Sequence, residues 1–328
     1  MSENILFMGT PEFASECLKS LVEANMNVVA VVTIPDKATG RGQKTHISPV
    51  KAYALQQGIP ILQPLKLKDS AFLEELSSYQ ADLQIVVAFR MLPFEVWNMP
   101  RLGTFNLHAS LLPKYRGAAP IQRSIWNGET ETGVTTFLLD KDIDTGDILY
   151  QEKVSIEPTD NAGSLHDKLL SIGAPLVVKT AKDLFQNRIP RHTQNTTSID
   201  HFPSAPKIFK EDCYLNFGET AELLALKIRA LSPYPGSIAC LKSSKTGQII
   251  PLKIYESSVS ENLPKTYQQG TLLSDNKHFL KIVCKNGSSI SLKKLQLPGK
   301  KILSIEEFLR GFPLDSLHPF CCVDVMNN

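Results

Sequence analysis

Ile5-Leu6-Phe7-Met8-Gly9-Thr10-Pro11-Glu12-Phe13-Ala14 is an apolar run closed by a glycine and restarted by a proline. Four apolar residues in a row predict a strand buried on both faces. Pro11 suits the first turn of a helix, where a missing N–H costs nothing, and Phe13, Cys17, Leu18 and Leu21 then recur at helical spacing. The same alternation continues along the chain. Residues 28–32, 84–89 and 104–107 are further strand runs, with 133–139 and 148–156 after them. Ser48-Pro49 opens a helix through Tyr53 and Leu55, Asp69 can cap one carrying Phe72, Leu73 and Leu76, and 161–186 reads as a long helix.

Strands separated by helical segments predict an α/β architecture: a Rossmann-like, mostly parallel sheet covered on both faces. Gly9-Thr10-Pro11-Glu12-Phe13-Ala14 is not G-x-G-x-x-G and no P-loop pattern occurs, so dinucleotide binding is not expected. Residues 188–206 are polar, contain proline and lack a period, as a linker does. Short strand-like runs follow at 236–240, 249–255, 279–284 and 289–297, with turn signals such as Lys285-Asn286-Gly287 between them. They fit a small barrel or sandwich. The expected organisation is a catalytic domain over 1–189, a linker over 190–206 and a second, smaller domain over 207–328.

A length of 328 residues suits two domains. With 42% apolar and 21% charged residues the chain is globular rather than fibrous or disordered. Its longest clean apolar stretch, Ile85-Val86-Val87-Ala88-Phe89, is far short of the roughly 20 residues a membrane helix needs. Met1-Ser2-Glu3-Asn4 is no secretory signal, so a cytoplasmic protein with no membrane partner is expected. Six cysteines are too few for a disulfide scaffold; Cys17, Cys213, Cys240 and Cys284 read as small buried thiols. His318 with Cys321-Cys322 lacks a second ligand pair at zinc spacing, so no metal is expected. Residues 207–328 hold 16 Lys/Arg against 11 Asp/Glu, whereas residues 1–206 hold 19 against 22. A basic C-terminal third is compatible with a polyanion such as nucleic acid.

Candidate chemistry concentrates in two stretches. In Phe105-Asn106-Leu107-His108-Ala109-Ser110-Leu111-Leu112-Pro113, Asn106 and His108 stand two apart, so on a strand both leave the same face. They fall at the end of a parallel strand, where open α/β sheets hold their sites. In Asp140-Lys141-Asp142-Ile143-Asp144-Thr145-Gly146-Asp147 a calcium loop fails on register, with glycine seventh and Gln151 twelfth. A carboxylate from this stretch can orient an imidazole, but spacing does not say which. One Asn, one His and one Asp, with no serine or cysteine nucleophile, point to direct acyl transfer in which the substrate brings its own nucleophile.

These residues resemble the folate-dependent formyltransferases. Asn106-x-His108, then Ser110-Leu111-Leu112-Pro113, then Asp144-Thr145-Gly146, match that family's active-site pattern. The resemblance implies Asn106, His108 and Asp144 as the catalytic group. It also implies Ser110, Leu111, Leu112 and Pro113 as folate contacts, and 10-formyltetrahydrofolate as formyl donor. Residues 8–14, 35–51, 116–122 and Leu231-Ser232-Pro233-Tyr234-Pro235-Gly236 are similar to the branch acting on initiator methionyl-tRNA. That branch implies an OB-like β-barrel as the second domain, and a basic insertion reaching the acceptor stem. The insertion is residues 33–47, longer than the usual βα loop of about 2–6 residues. Its expected tRNA contacts are Arg41, Lys37 and Lys44. A monomer is expected. A formyltransferase for a small amine, such as a nucleotide sugar or glycinamide ribonucleotide, shares the Asn, His and Asp but has no need of the insertion. Arg90, Ala38 and Tyr214-Leu215-Asn216-Phe217 depart from the family's usual residues.

Overall fold

The structure is a computed structural model and describes residues 3–39, 44–194, 202–243, 247–264, 266–312, 314 and 320–323. The chain divides into two compact units, each discontinuous. The first comprises residues 1–120, 131–155 and 166–205, and the second 121–130, 156–165 and 206–328.

The first unit begins with β1 (Asn4–Gly9), α1 (Glu12–Glu23), β2 (Asn27–Val32), the hairpin β3 (Lys37–Thr39) and β4 (Lys44–His46), and α2 (Pro49–Gln57). It continues with β5 (Ile61–Leu62), α3 (Ser70–Ser78), β6 (Leu83–Val87), α4 (Phe94–Trp97) and β7 (Thr104–His108). After α5 (Pro120–Trp126), which apart from Pro120 belongs to the second unit, come β8 (Glu131–Leu138), β9 (Ile148–Ser155) and α6 (Ala162–Phe185), whose first four residues belong to the second unit. The sheet order is β5-β2-β1-β6-β7-β8-β9, parallel from β5 to β7 and antiparallel across β7-β8 and β8-β9. Ile5, Leu6, Phe7 and Met8 are fully buried, as an apolar run in a central parallel strand requires. Phe13, Ala14, Cys17, Leu18 and Leu21 form the buried face of α1. Gly9 is needed where β1 turns into α1, because a Cβ there would stand 2.5 Å from that of Ala14. Ser48 caps α2 by accepting from Lys51 N, and Asp69 caps α3 by accepting from Ala71 N and Phe72 N.

The second unit holds α7 (Ala221–Leu231), β10 (Ser237–Ser243), β11 (Ile249–Ser260), β12 (Leu272–Ser274) and β13 (Leu280–Val283). It ends with β14 (Ser289–Gln296), β15 (Ile302–Ser304), α8 (Ile305–Gly311) and β16 (Phe320–Val323). The strands run β12-β13-β14-β11-β10-β16, all antiparallel, with β15 on β14. Register shifts along the 12-residue β11 let the sheet curl into a half-barrel. Leu224, Ile228, Leu252, Ile254, Leu292 and Phe308 fill its interior. Trp126 meets two cations, with the Arg123 guanidinium 4.7 Å and the Lys227 ammonium 4.9 Å from its ring centre, which ties residues 121–130 to this unit. Lys227 is buried and donates to Tyr214 O; burial pushes its pKa down.

Candidate active site

Strands β1, β6 and β7 end along one sheet edge, with Gly9 beside Val87 and Val87 beside Leu107 in register. Asn106 and His108 stand at that edge on β7, paired with Phe137 and Thr135 of β8. His108 is 6% and Asp144 14% exposed at the side chain, with His108 Nδ1 3.8 Å from Asp144 Oδ2. The other ring nitrogen, Nε2, lies 2.8 Å from Tyr115 O. A carbonyl only accepts, so Nε2 carries a proton; a second proton on Nδ1 would face the carboxylate. Among the described residues the Asn106 amide has no hydrogen-bond partner, which leaves it available as a donor.

Asp144 is singled out from its neighbours by backbone shape. Its φ is +55°, in the left-handed region, and Oδ2 accepts from Gly117 N at 2.9 Å. Such a residue costs on the order of 1–3 kcal/mol and persists only where its surroundings fix it. Asp140 and Asp142 are exposed. Two residues on, a Cβ at Gly146 would overlap the Leu138 carbonyl oxygen, so glycine alone fits. A Cβ on Gly117 would stand 2.5 Å from Ala205 O, and its φ is +124°. Gln194, which belongs to no sequence motif, donates to Asp144 O and Gly146 O at 3.0 and 2.8 Å. Its only sequence signal is a glutamine in aperiodic polar text.

Ser110 and Leu112 have their polar groups taken up internally. Ser110 Oγ donates to Lys114 O, Thr135 Oγ1 to Ser110 O, Leu112 N to Thr135 Oγ1 and Gln151 Nε2 to Leu112 O. Leu111 and Pro113 are half-buried and offer apolar surface. At the end of the neighbouring β6, Leu67, Lys68, Arg90, Met91, Leu92 and Pro93 line a surface pocket of about 410 Å³. Arg90 donates to Leu65 O at 3.1 Å and Pro64 O at 2.5 Å, while its buried Nε has no partner among the described residues. Burial pushes its pKa down. The departure at Arg90 thus ties residues 64–65 to the end of β6.

Lys37 pairs with His46 and Thr39 with Lys44 along β3 and β4; the side chains of Lys37 and Lys44, and all of Arg41, lie outside those described. So do His318 and the side chains of Cys321 and Cys322. Among the described residues no three His, Cys, Asp or Glu side chains gather as metal ligands would. No described helix is long and apolar enough to cross a membrane.

The sheet presents Asn106, His108 and Asp144 at its carboxyl edge and is followed in the chain by a curled antiparallel half-barrel, and the chain belongs to the formyl transferase family. Its residues 3–180 match the family "Formyl transferase", and residues 207–313 match "Formyl transferase, C-terminal domain". More narrowly, it is 50% identical over 313 residues to the methionyl-tRNA formyltransferase of Bacteroides thetaiotaomicron, covering 94% of this chain and 96% of that one. The methionyl-tRNA formyltransferase of Flavobacterium johnsoniae is 47% identical over 307 residues, covering 94% and 95%. Among solved structures, a sugar 3N-formyl transferase crystallised in the presence of dTDP and 5-N-formyl-THF shares the fold. Its TM-score is 0.64 at 20% identity, over 92% of this chain and all of that one.

Proposed function

We propose that this chain transfers the formyl group of 10-formyltetrahydrofolate to the free amine of methionine carried on initiator tRNA, in the cytoplasm. The observation that carries the reading is the 46–50% identity to relatives of that name, running through both units. Buried His108 facing Asp144, with Asn106 on the same strand face, supports it with chemistry.

The residues present suit a folate. The pocket at the end of β6 joins apolar Leu67, Met91, Leu92 and Pro93 to the cations Lys68 and Arg90, a lining fit for an aromatic heterocycle with a carboxylated tail. Leu111 and Pro113 add apolar surface beside β7, with Ser110 and Leu112 framing it. When bound, the formyl-folate supplies an activated formyl carbon.

The chain's own part is electrostatic and positional. The free amide of Asn106 donates to the formyl oxygen as negative charge develops there. His108 stands on the same face, two residues along the strand. Asp144 faces its Nδ1 at 3.8 Å and orients the imidazole. Tyr115 O holds Nε2 and sets the ring's orientation. His108 and Asp144 together take up the proton that the attacking amine sheds and return one to the departing nitrogen. Arg41, Lys37 and Lys44, in the insertion after β2, contact the phosphates of the acceptor stem.

The deciding experiment compares acceptors side by side with labelled formyl donor. Formylation of methionyl initiator tRNA, with small amines inert, is the expected result. Faster transfer to a nucleotide sugar or to glycinamide ribonucleotide would overturn the assignment of substrate.

A further inference from the structure

The polar stretch between the two sequence halves takes part in the active site. Gln194 is only 4% exposed. Its Oε1 accepts from an Arg116 guanidinium nitrogen at 2.5 Å, while Nε2 donates to Asp144 O at 3.0 Å and Gly146 O at 2.8 Å. The amide has one satisfactory orientation, because arginine only donates and carbonyls only accept. Arg116 precedes Gly117, whose amide holds the Asp144 carboxylate itself.

The same stretch grips the other side of the pair. His192 and Ile148 exchange N–H···O bonds of 2.9 Å just after the Asp144 turn. Pro203 O accepts from Tyr115 N at 2.6 Å, Arg116 O accepts from Ala205 N at 2.8 Å, and Ala205 O accepts from Ala119 N at 3.1 Å. Tyr115 is the residue whose carbonyl takes His108 Nε2. Both partners of the His108–Asp144 pair are therefore fixed by backbone tied to residues 192–194 and 202–205.

We propose that Gln194 is a positioning residue of formyl transfer, its side-chain amide holding the left-handed turn at Asp144 so that the carboxylate faces His108. The inference rests on the reading that Asp144 acts through His108. Gln194 lies behind the turn and touches no reacting atom, so its loss should lower kcat and spare KM.

The test uses the full chain with 10-formyltetrahydrofolate and methionyl initiator tRNA. Gln194→Ala removes all three hydrogen bonds. Gln194→Glu keeps the volume and the Arg116 contact but offers no N–H to the two carbonyls, and it carries the test alone if the alanine variant fails to fold. Each is expected to lower kcat about 10- to 100-fold, because a misplacement of about 1 Å costs up to about 100-fold. KM for both substrates should stay within about twofold. In an Asp144→Asn background the Gln194 substitutions should cost less than about twofold further, since both act through one interaction. Three results would overturn the proposal: wild-type kcat in the Gln194 variants, a loss confined to KM, or an undiminished loss in the Asp144→Asn background. If Asp144→Asn itself keeps full activity, the reading of Asp144 falls and takes this proposal with it. A loss in Asp144→Asn with none in the Gln194 variants sinks the positioning role alone.

Discussion

Asp144 Oδ2 stands 3.8 Å from His108 Nδ1 while accepting the Gly117 amide at 2.9 Å. One oxygen thus serves both the turn and the imidazole. Asp144→Asn keeps an oxygen for Gly117 but removes the charge. It should lower single-turnover formyl transfer about 100- to 1,000-fold while the melting temperature moves by no more than a few degrees. Transfer within about threefold of wild type would show that the charge is not used.

Asn106 differs from His108 in being uncommitted. Both ring nitrogens of His108 face protein oxygens, whereas the Asn106 amide has no partner among the described residues. Asn106→Ala removes a donor without leaving a protein group unsatisfied, so stability should hold and kcat should fall about 100- to 1,000-fold, the size of an oxyanion-donor loss. His108→Ala should lose at least about 100-fold as well, but also removes the ring that bonds Tyr115 O and faces Asp144. Thermal melts with single-turnover rates separate the two: only His108→Ala should combine a lower melting temperature with lost activity.

The sheet was legible because its strands are buried runs. Ile5 to Met8 need no partner to be recognised, and Ser48 and Asp69 announce their helices through local capping. Asn106 and His108 were legible as a pair because strand geometry puts alternate residues on one face. The choice of Asp144 over Asp140 and Asp142 was not legible from spacing. It depends on a positive φ fixed by Gly117 and Gln194, residues 27 and 50 positions away. Gln194 itself gave no period and no motif, since its meaning lies wholly in those distant partners. The same holds for residues 121–130 and 156–165, which belong with the second unit through packing that no local pattern encodes.

The buried thiols set an alkaline limit. Burial pushes Cys17 far above its ordinary value of 9.0 and Cys284 up to about 12. Below pH 9 folded and unfolded chains both carry these protons, so the thiols add no pH dependence. Above it the unfolded chain releases protons that the folded chain keeps, and stability falls as pH rises, by about 1.4 kcal/mol per pH unit for each thiol. Urea midpoints should therefore drop between about pH 9 and pH 11, and Cys17→Ala should flatten the slope. An unchanged slope in that variant would refute the linkage. Thiol reagents at neutral pH should leave Cys17 and Cys284 unmodified until the chain unfolds.

The insertion after β2 is clamped at its base, which bears on acceptor choice. Thr33 Oγ1 and Ser48 Oγ meet at 2.8 Å, closing the two ends of the segment. Lys51 donates to Asp36 Oδ2 at 2.5 Å and Gln63 Oε1 at 2.7 Å, and Gln63 donates in turn to Ile34 O and Asp36 Oδ1. Hydrogen bonds from Lys51, then Gln63, hold the Asp36 carboxyl below the usual range. Arg41→Ala should weaken kcat/KM for methionyl-tRNA and lower the slope of log kcat/KM against log salt by about 1, the signature of one lost phosphate contact. Lys51→Met loosens the root and should weaken kcat/KM for tRNA in the same direction, with formyl-folate affinity kept within about twofold. An Arg41→Ala enzyme with the wild-type salt slope would place the acceptor stem elsewhere.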